Sequence, residues 1–270
     1  MDYFRNDASS LKEKKLWLFD MDGTIYEEDR LFDGTIPLLD EIKKQGGTYV
    51  FITNNSSKSV DDYVKKVNGM GIQAGSSDFF TSVDATVLYL NEHAKGKTVY
   101  VMGTESMIKS LVKAGIDVTT EVGDAEVVLI GFDTELTSEK LRKTCEMLTT
   151  RDVMYLATNP DYVCPVSFGF IPDCGSIAIM LYNATKKNPK FIGKPEPTMV
   201  NAVAKKLGYK KSQIVVVGDR LYTDIKSGLN AGVDTICVLS GEATVDDILN
   251  GDVKPTYTFL SVTEILEEIK

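Results

Sequence analysis

The feature that most limits the fold is a set of short apolar runs that each end on a polar or acidic residue. Leu16-Trp17-Leu18-Phe19 runs into Asp20, Tyr49-Val50-Phe51-Ile52 into Thr53, and Ile214-Val215-Val216-Val217 into Gly218-Asp219. Near-continuous runs of this length suit strands covered by helices on both faces, as in a parallel sheet. Helical patterns lie between them. One spans Ile36 to Gln45, with Pro37 in its first turn and Gly46-Gly47 to stop it. Ser59 with Asp62, and Ser261 with Glu264, have the spacing of capping boxes at helix starts. Val200, Val203 and Leu207 share one helical face, Gly208 ends that helix, and Asp224 to Ala231 reads as another. Strands are expected at Thr235–Leu239 and Thr256–Leu260. Strands alternating with helices predict an α/β fold with a Rossmann-like doubly wound parallel sheet.

The middle of the chain is too long for a connection. Between Thr53 and Lys194 lie 140 residues, whereas a crossover needs about a dozen or more. The stretch has strand patterns at Thr98–Met102, Val127–Ile130 and Val153–Ala157, and helical ones near Glu105–Ala114, Ser138–Thr149 and Ser176–Ala184. An α/β domain over residues 83–186 is therefore expected, inserted into a core made of 1–82 and 187–270.

Charge and composition exclude several classes. Lys plus Arg is 30 and Asp plus Glu is 39, a net charge of −9, which disfavours binding to nucleic acid. No apolar run approaches a membrane span, and the polar N-terminal stretch lacks the apolar core of a secretory signal. Cys145, Cys164, Cys174 and Cys237 show no close metal-ligand spacing. Reduced thiols in a cytoplasmic protein without membrane partners are the expectation. His93 is the only histidine, which excludes zinc sites rich in histidine. A homo-oligomer is compatible with the sequence, which fixes no oligomeric state.

Four segments carry chemistry. Asp20-Met21-Asp22-Gly23-Thr24 places two carboxylates on the turn leaving a buried strand, and ligands of open α/β sheets bind at that edge. Asp219 and Asp224 follow a second such strand. Four carboxylates in one region repel, so either their pKa values rise or a cation is present, and an all-oxygen set suits Mg²⁺. Asp224 alone reads equally as a helix N-cap. Thr53-Asn54-Asn55 offers a hydroxyl and backbone N–H groups to phosphate oxygens, though it is also ordinary turn composition. Gly193-Lys194-Pro195-Glu196-Pro197 presents a lysine between prolines, a fixed positive charge for a phosphoryl group. Gly69-Met70-Gly71 does not complete a dinucleotide fingerprint.

The order of these segments resembles the haloacid dehalogenase-like hydrolase superfamily. Asp20 and Asp22 match its first motif, Thr53 its second, Lys194 its third, and Asp219 with Asp224 its fourth. The insertion resembles the class IIA cap. The segments Thr53–Ser57, Ala157–Asp161, Cys174–Ser176 and Gly193–Pro197 are similar to the 4-nitrophenylphosphatase/NagD-like branch. Asp173, before Cys174, departs from that pattern, in which a small residue is usual.

The resemblance implies a Mg²⁺-dependent phosphatase acting on small phosphorylated metabolites such as sugar phosphates or nucleotides. Asp20 is implied as nucleophile, forming an aspartyl-phosphate, and Asp22 as acid and base. Thr53 and Lys194 are implied to orient and neutralise the phosphoryl group. The implied metal ligands are Asp20, Asp22 through its main-chain carbonyl, Asp219 and Asp224. Asn54, Asn55, Asn159 and Asp161 are candidates for substrate binding, Asn159-Pro160-Asp161 being also a good plain turn. Two alternatives stand beside this reading: a phosphotransferase or phosphomutase of the same superfamily, and a non-catalytic domain that binds phosphate.

Overall fold

The computed structural model describes all 270 residues, and they form two compact units. The first holds Met1–Thr53, Tyr63–Phe80 and Lys194–Lys270; the second holds Asn54–Asp62 and Thr81–Gly193. In chain order the strands are β1 (Leu16–Phe19), β2 (Tyr26–Glu27), β3 (Arg30–Leu31), β4 (Thr48–Thr53), β5 (Phe79–Thr81), β6 (Val99–Met102), β7 (Val118–Thr119), β8 (Val127–Ile130), β9 (Met154–Ala157), β10 (Val163–Val166), β11 (Gly169–Pro172), β12 (Lys190–Phe191), β13 (Ile214–Gly218), β14 (Asp234–Val238) and β15 (Tyr257–Phe259). No helix is long and apolar enough to cross a membrane.

The sheet of the first unit runs β15-β14-β13-β1-β4-β5. β1 lies parallel between β13 and β4, with Leu16 opposite both Ile214 and Thr48. Every residue of β1 and of β13 is buried, which is why these runs show no alternation. Trp17 stacks on Phe19, and Phe51 packs against Phe79. The helix Val262–Ile269 begins with the expected Ser261–Glu264 capping box and buries Val262, Ile265, Leu266 and Ile269, an apolar stripe at helical spacing. Chain order reverses beside β1, whose neighbours come from opposite halves of the sequence. Such a switch point opens a crevice at the carboxyl ends of the strands.

The second unit has a sheet in the order β12-β9-β8-β6-β7, and each neighbouring pair of its strands is parallel. Its core joins Met102, Val128, Ile130 and Tyr155 of the sheet to Met147 and Leu148, and to Cys174, Ile177 and Leu181 of the helix Cys174–Thr185. Asp173, the departure from the family pattern, caps that helix by accepting a hydrogen bond from Cys174 N.

The structure redraws three expectations. The second unit extends past 83–186. β12 pairs with β9 and carries the stretch after 186 into its sheet. Residues 54–62 join it too, because Phe132 N donates to Ser56 Oγ and Thr104 Oγ1 to the Ser57 carbonyl. The segment read as one helix from Asp224 to Ala231 is a π-helical turn, Leu221–Ile225, followed by a helix at Lys226–Ala231. The antiparallel hairpin β10–β11 has no strand signal in the sequence. Pro165 and Pro172 fall within it, and proline lacks the ladder donor.

Candidate active site

The strands of the first unit bring the acidic residues together. Asp20 follows β1, and its N–H continues the ladder to the Val217 carbonyl. Asp219 follows β13 on the adjacent strand. One carboxylate oxygen from each of Asp20, Asp219 and Asp224 lies within 4.8 Å of the others. Lys194, only 2% exposed, enters this group. Its Nζ donates to Asp20 Oδ1 at 2.5 Å, Asp224 Oδ1 at 2.6 Å and the Ile52 carbonyl at 3.2 Å. Asp224 is thus no helix N-cap. It lies inside the π-helical turn, where its other oxygen accepts from Arg220 N at 3.1 Å. Thr53 is buried at the carboxyl end of β4, beside β1.

Glycines make room for the carboxylates. A Cβ on Gly218 would stand 2.2 Å from Asp224 Cβ, and one on Gly241 would stand 2.1 Å from Asp219 Oδ2. Gly23, at φ +80°, turns the chain after Asp22 and also faces Asp219. Asp219 is held by hydrogen bonds from Glu242 N at 2.8 Å and Thr24 Oγ1 at 3.3 Å.

The electrostatics follow from burial and crowding. Burial, then the Asp224 charge, holds the Asp20 carboxyl well above the usual carboxylate range, with Lys194 pulling the other way. Asp219 is pushed up to about 6 by burial first and Asp224 second, against the hydrogen bond from Glu242 N–H. Burial opposes the charge on Lys194, but Asp20 and Asp224 outweigh it and raise its pKa. Three clustered carboxylates, two of them paired with the one Lys194 ammonium, leave excess negative charge in a space walled by low dielectric. A hard divalent cation taking oxygen ligands fits that donor set.

The Asp22 side chain lies apart from this cluster of ligand atoms. Its Oδ2 accepts from Tyr26 Oη at 3.3 Å, and Lys66 Nζ is 3.8 Å from its Oδ1. Burial, together with the Asp22 charge, raises the Tyr26 phenol well above its ordinary range, so it remains a donor. Sequence reasoning missed both partners. The four-residue step from Asp22 to Tyr26 was a signal within reach; nothing marks Lys66, which sits on the helix Val60–Gly69.

The candidates from the second unit form a network of their own. Asn54 Nδ2 and Asn159 Nδ2 both donate to Asp161 Oδ2, at 2.7 and 2.8 Å, and Asn159 Nδ2 also reaches Asp173 Oδ1 at 3.1 Å. Asn159 is 0% and Asp161 2% exposed. Asn55 Oδ1 closes a local turn with Ser57 N and Oγ. Ser82 Oγ donates to the Asn54 carbonyl, and a Cβ on Gly193 would stand 2.5 Å from Asn54 Oδ1. Asn54, Ser82 and Gly193 flank three of the points where the chain passes between units. The second unit ties those three passages together.

A family model described as haloacid dehalogenase-like hydrolase matches residues 17–117, and one described as HAD-hydrolase-like matches residues 191–265. The acid sugar phosphatase of Staphylococcus aureus (strain MRSA252) is 35% identical over 260 residues, 96% of this chain and 100% of that protein. The chain belongs to the haloacid dehalogenase-like hydrolases. The structure of 4-nitrophenylphosphatase from Thermotoga maritima matches this HAD-like hydrolase with a TM-score of 0.91 at 35% identity, over 97% of this chain and 99% of that one. A glycerol phosphate phosphatase from Mycobacterium tuberculosis, in complex with magnesium, matches with a TM-score of 0.88 at 25% identity, over 96% of this chain and 78% of that one. These likenesses put the chain in the 4-nitrophenylphosphatase/NagD-like branch of the family.

Proposed function

We propose that this HAD-like phosphatase hydrolyses small phosphomonoesters, such as sugar phosphates or nucleotides, through a phosphoryl group carried on Asp20. The observation that carries the reading is the convergence of Asp20, Asp219, Asp224 and Lys194 at the switch point of the parallel sheet. The names of the relatives, which include a sugar phosphatase and a glycerol phosphate phosphatase, support the substrate class.

Asp20, Asp219 and Asp224, with the main-chain carbonyl of Asp22, would hold Mg²⁺. The ion, when bound, offsets the repulsion between carboxylates and phosphate oxygens. In the first half, an Asp20 oxygen forms a bond to phosphorus as the bond to the ester oxygen breaks. Asp22 gives that oxygen a proton, and the alcohol leaves. In the second half, Asp22 takes a proton from water, the water oxygen bonds to phosphorus, and the bond to Asp20 breaks. Phosphate departs and both carboxyl groups return to their starting states. Lys194 and Thr53 hold the phosphoryl oxygens, and the Lys194 charge is fixed in place before reaction.

The test is a panel of phosphate esters assayed with Mg²⁺ and with chelator, reading released phosphate. Release that requires Mg²⁺ is expected for sugar phosphates and for 4-nitrophenyl phosphate. No release from any ester, or equal rates with chelator, overturns the reading. A parallel run with an added acceptor alcohol separates hydrolysis from transfer, since transfer frees alcohol without an equal amount of phosphate.

A further inference from the structure

We propose that Tyr26 and Lys66 are positioning residues that hold the Asp22 carboxyl in the orientation needed for proton transfer, an inference that rests on the acid–base role given to Asp22 above. The two oxygens of this carboxyl have different partners. Tyr26 Oη donates to Oδ2 at 3.3 Å, and Lys66 Nζ stands 3.8 Å from Oδ1. The partners also engage each other, because Lys66 Nζ lies 3.9 Å from the centroid of the Tyr26 ring. A cation over an aromatic face at that distance is attracted to it. The three side chains therefore form a closed triangle.

The backbone fixes one side of the triangle. Gly23 N donates to the Tyr26 carbonyl at 2.9 Å, and Asp22 and Tyr26 form an isolated bridge. Tyr26 is fully buried, so its ring is a rigid post. Asp22 is the open member, with 39% of its side chain exposed. The terminal torsion of an aspartate is broad, and an unheld carboxyl would sample rotamers that face away from the reacting oxygen. Restraint from two sides raises the fraction of time in one orientation, which is how placement lowers a barrier.

Stability is a poor account of the Lys66–Asp22 pair. At 3.8 Å, with both side chains partly open to water, an ion pair of this kind contributes little. Lys66 also reaches Asp22 from the helix Val60–Gly69, far from the strand-end turn that carries the acid. The helix thus supplies the part of the clamp that the turn itself lacks.

The experiment compares Tyr26→Phe, Lys66→Met, Lys66→Arg and Asp22→Asn in the full chain with Mg²⁺. Each is assayed on 4-nitrophenyl phosphate, whose leaving group needs little protonation, and on a sugar phosphate, whose alkoxide needs a proton. The quantity read is kcat/KM, which covers the steps through departure of the alcohol, alongside the inhibition constant of inorganic phosphate. Tyr26→Phe and Lys66→Met are expected to lose about tenfold more kcat/KM on the sugar phosphate than on the nitrophenyl ester, a fraction of the ~10²–10⁴-fold that acid–base catalysis supplies. Inhibition by phosphate should stay within about twofold, since uniform binding is not what these residues provide. Lys66→Arg should restore most of the loss. Equal losses on both esters, or a loss carried entirely by weaker phosphate inhibition, overturn the proposal. If Asp22→Asn shows the leaving-group bias and Tyr26→Phe does not, only the positioning role fails. If Asp22→Asn shows no bias, the acid–base reading fails and takes the positioning role with it.

Discussion

Lys194 and Asp20 meet at 2.5 Å although 174 positions separate them in the chain. The contact lies where β1 ends, and Lys194 Nζ also reaches the Ile52 carbonyl of β4, the strand beside β1. It gives the site one buried positive charge against a crowd of negative ones, Asp224 being the second partner at 2.6 Å. The consequences are electrostatic and can be measured without knowing the substrate.

Lys194→Met should leave Asp20 and Asp224 without their shared ammonium. Removing one member of a buried ion pair costs roughly 3–5 kcal/mol, because the remaining charge is uncompensated. A lower melting temperature in chelator is expected, and a larger rise on adding Mg²⁺ than the unaltered protein shows. Thermal melts with and without Mg²⁺ check this. An unchanged melting temperature in chelator would mean that the carboxylates are not sharing that charge.

Asp20→Asn should behave in the opposite way. Burial and Asp224 together outweigh Lys194 at this carboxyl and oppose its ionised form. Asparagine removes that cost while keeping the shape. Turnover should fall by about a thousandfold or more, as expected when a nucleophile is lost, with no loss of melting temperature in chelator. Activity well above background in this variant would argue against a phosphoryl group on Asp20.

Stability should depend on pH through Asp219, raised from an ordinary 3.8 to about 6. A carboxyl raised in the folded state stabilises the fold fully below its unfolded pKa, and that contribution is lost as pH rises through about 6. Asp20, also raised, has the same sign. A divalent ion favours the ionised form, so its stabilisation should run the other way. The rise in melting temperature caused by Mg²⁺ should be small near about pH 5, grow through about pH 6, and level off by about pH 7. A shift that stays flat over this range would remove Asp219 from the metal site.

Much of this was legible in the sequence because strands announce themselves. Apolar runs as short as Leu16–Phe19 and Ile214–Val217, bounded by polar residues, suit buried strands, and the acids just beyond them share an edge once the strands pair. Lys194 was legible through its motif. The Asp22 clamp was not, since Lys66 comes from a helix face and no local pattern links it to Asp22. Nor was the buried network of Asn54, Asn159 and Asp161. Their turn-like composition marks polar side chains without saying whether these meet a ligand or one another, and here they bond to one another. The π-helical turn hid inside a plausible helix, because the close approach of Asp224 to Gly218 leaves no mark in the local pattern.

Gly241→Ala isolates the geometry of the metal ligands from their charge. A methyl at this position would stand 2.1 Å from Asp219 Oδ2 and 2.5 Å from its Cγ, distances that atoms do not tolerate. The backbone at Gly241 is not left-handed, so alanine meets no torsional obstacle of its own. The relief must come from Asp219, whose carboxylate has to swing away from Glu242 N and from the other ligands. Half-maximal activation should then need about tenfold more Mg²⁺, the size of loss seen when a ligand's orientation is disturbed. Gly75→Ala is the control, because its added methyl meets nothing within 4 Å. Mg²⁺ titrations of activity and of melting temperature read both variants, and an unshifted midpoint in Gly241→Ala would show that Asp219 need not stand where it does to hold the ion.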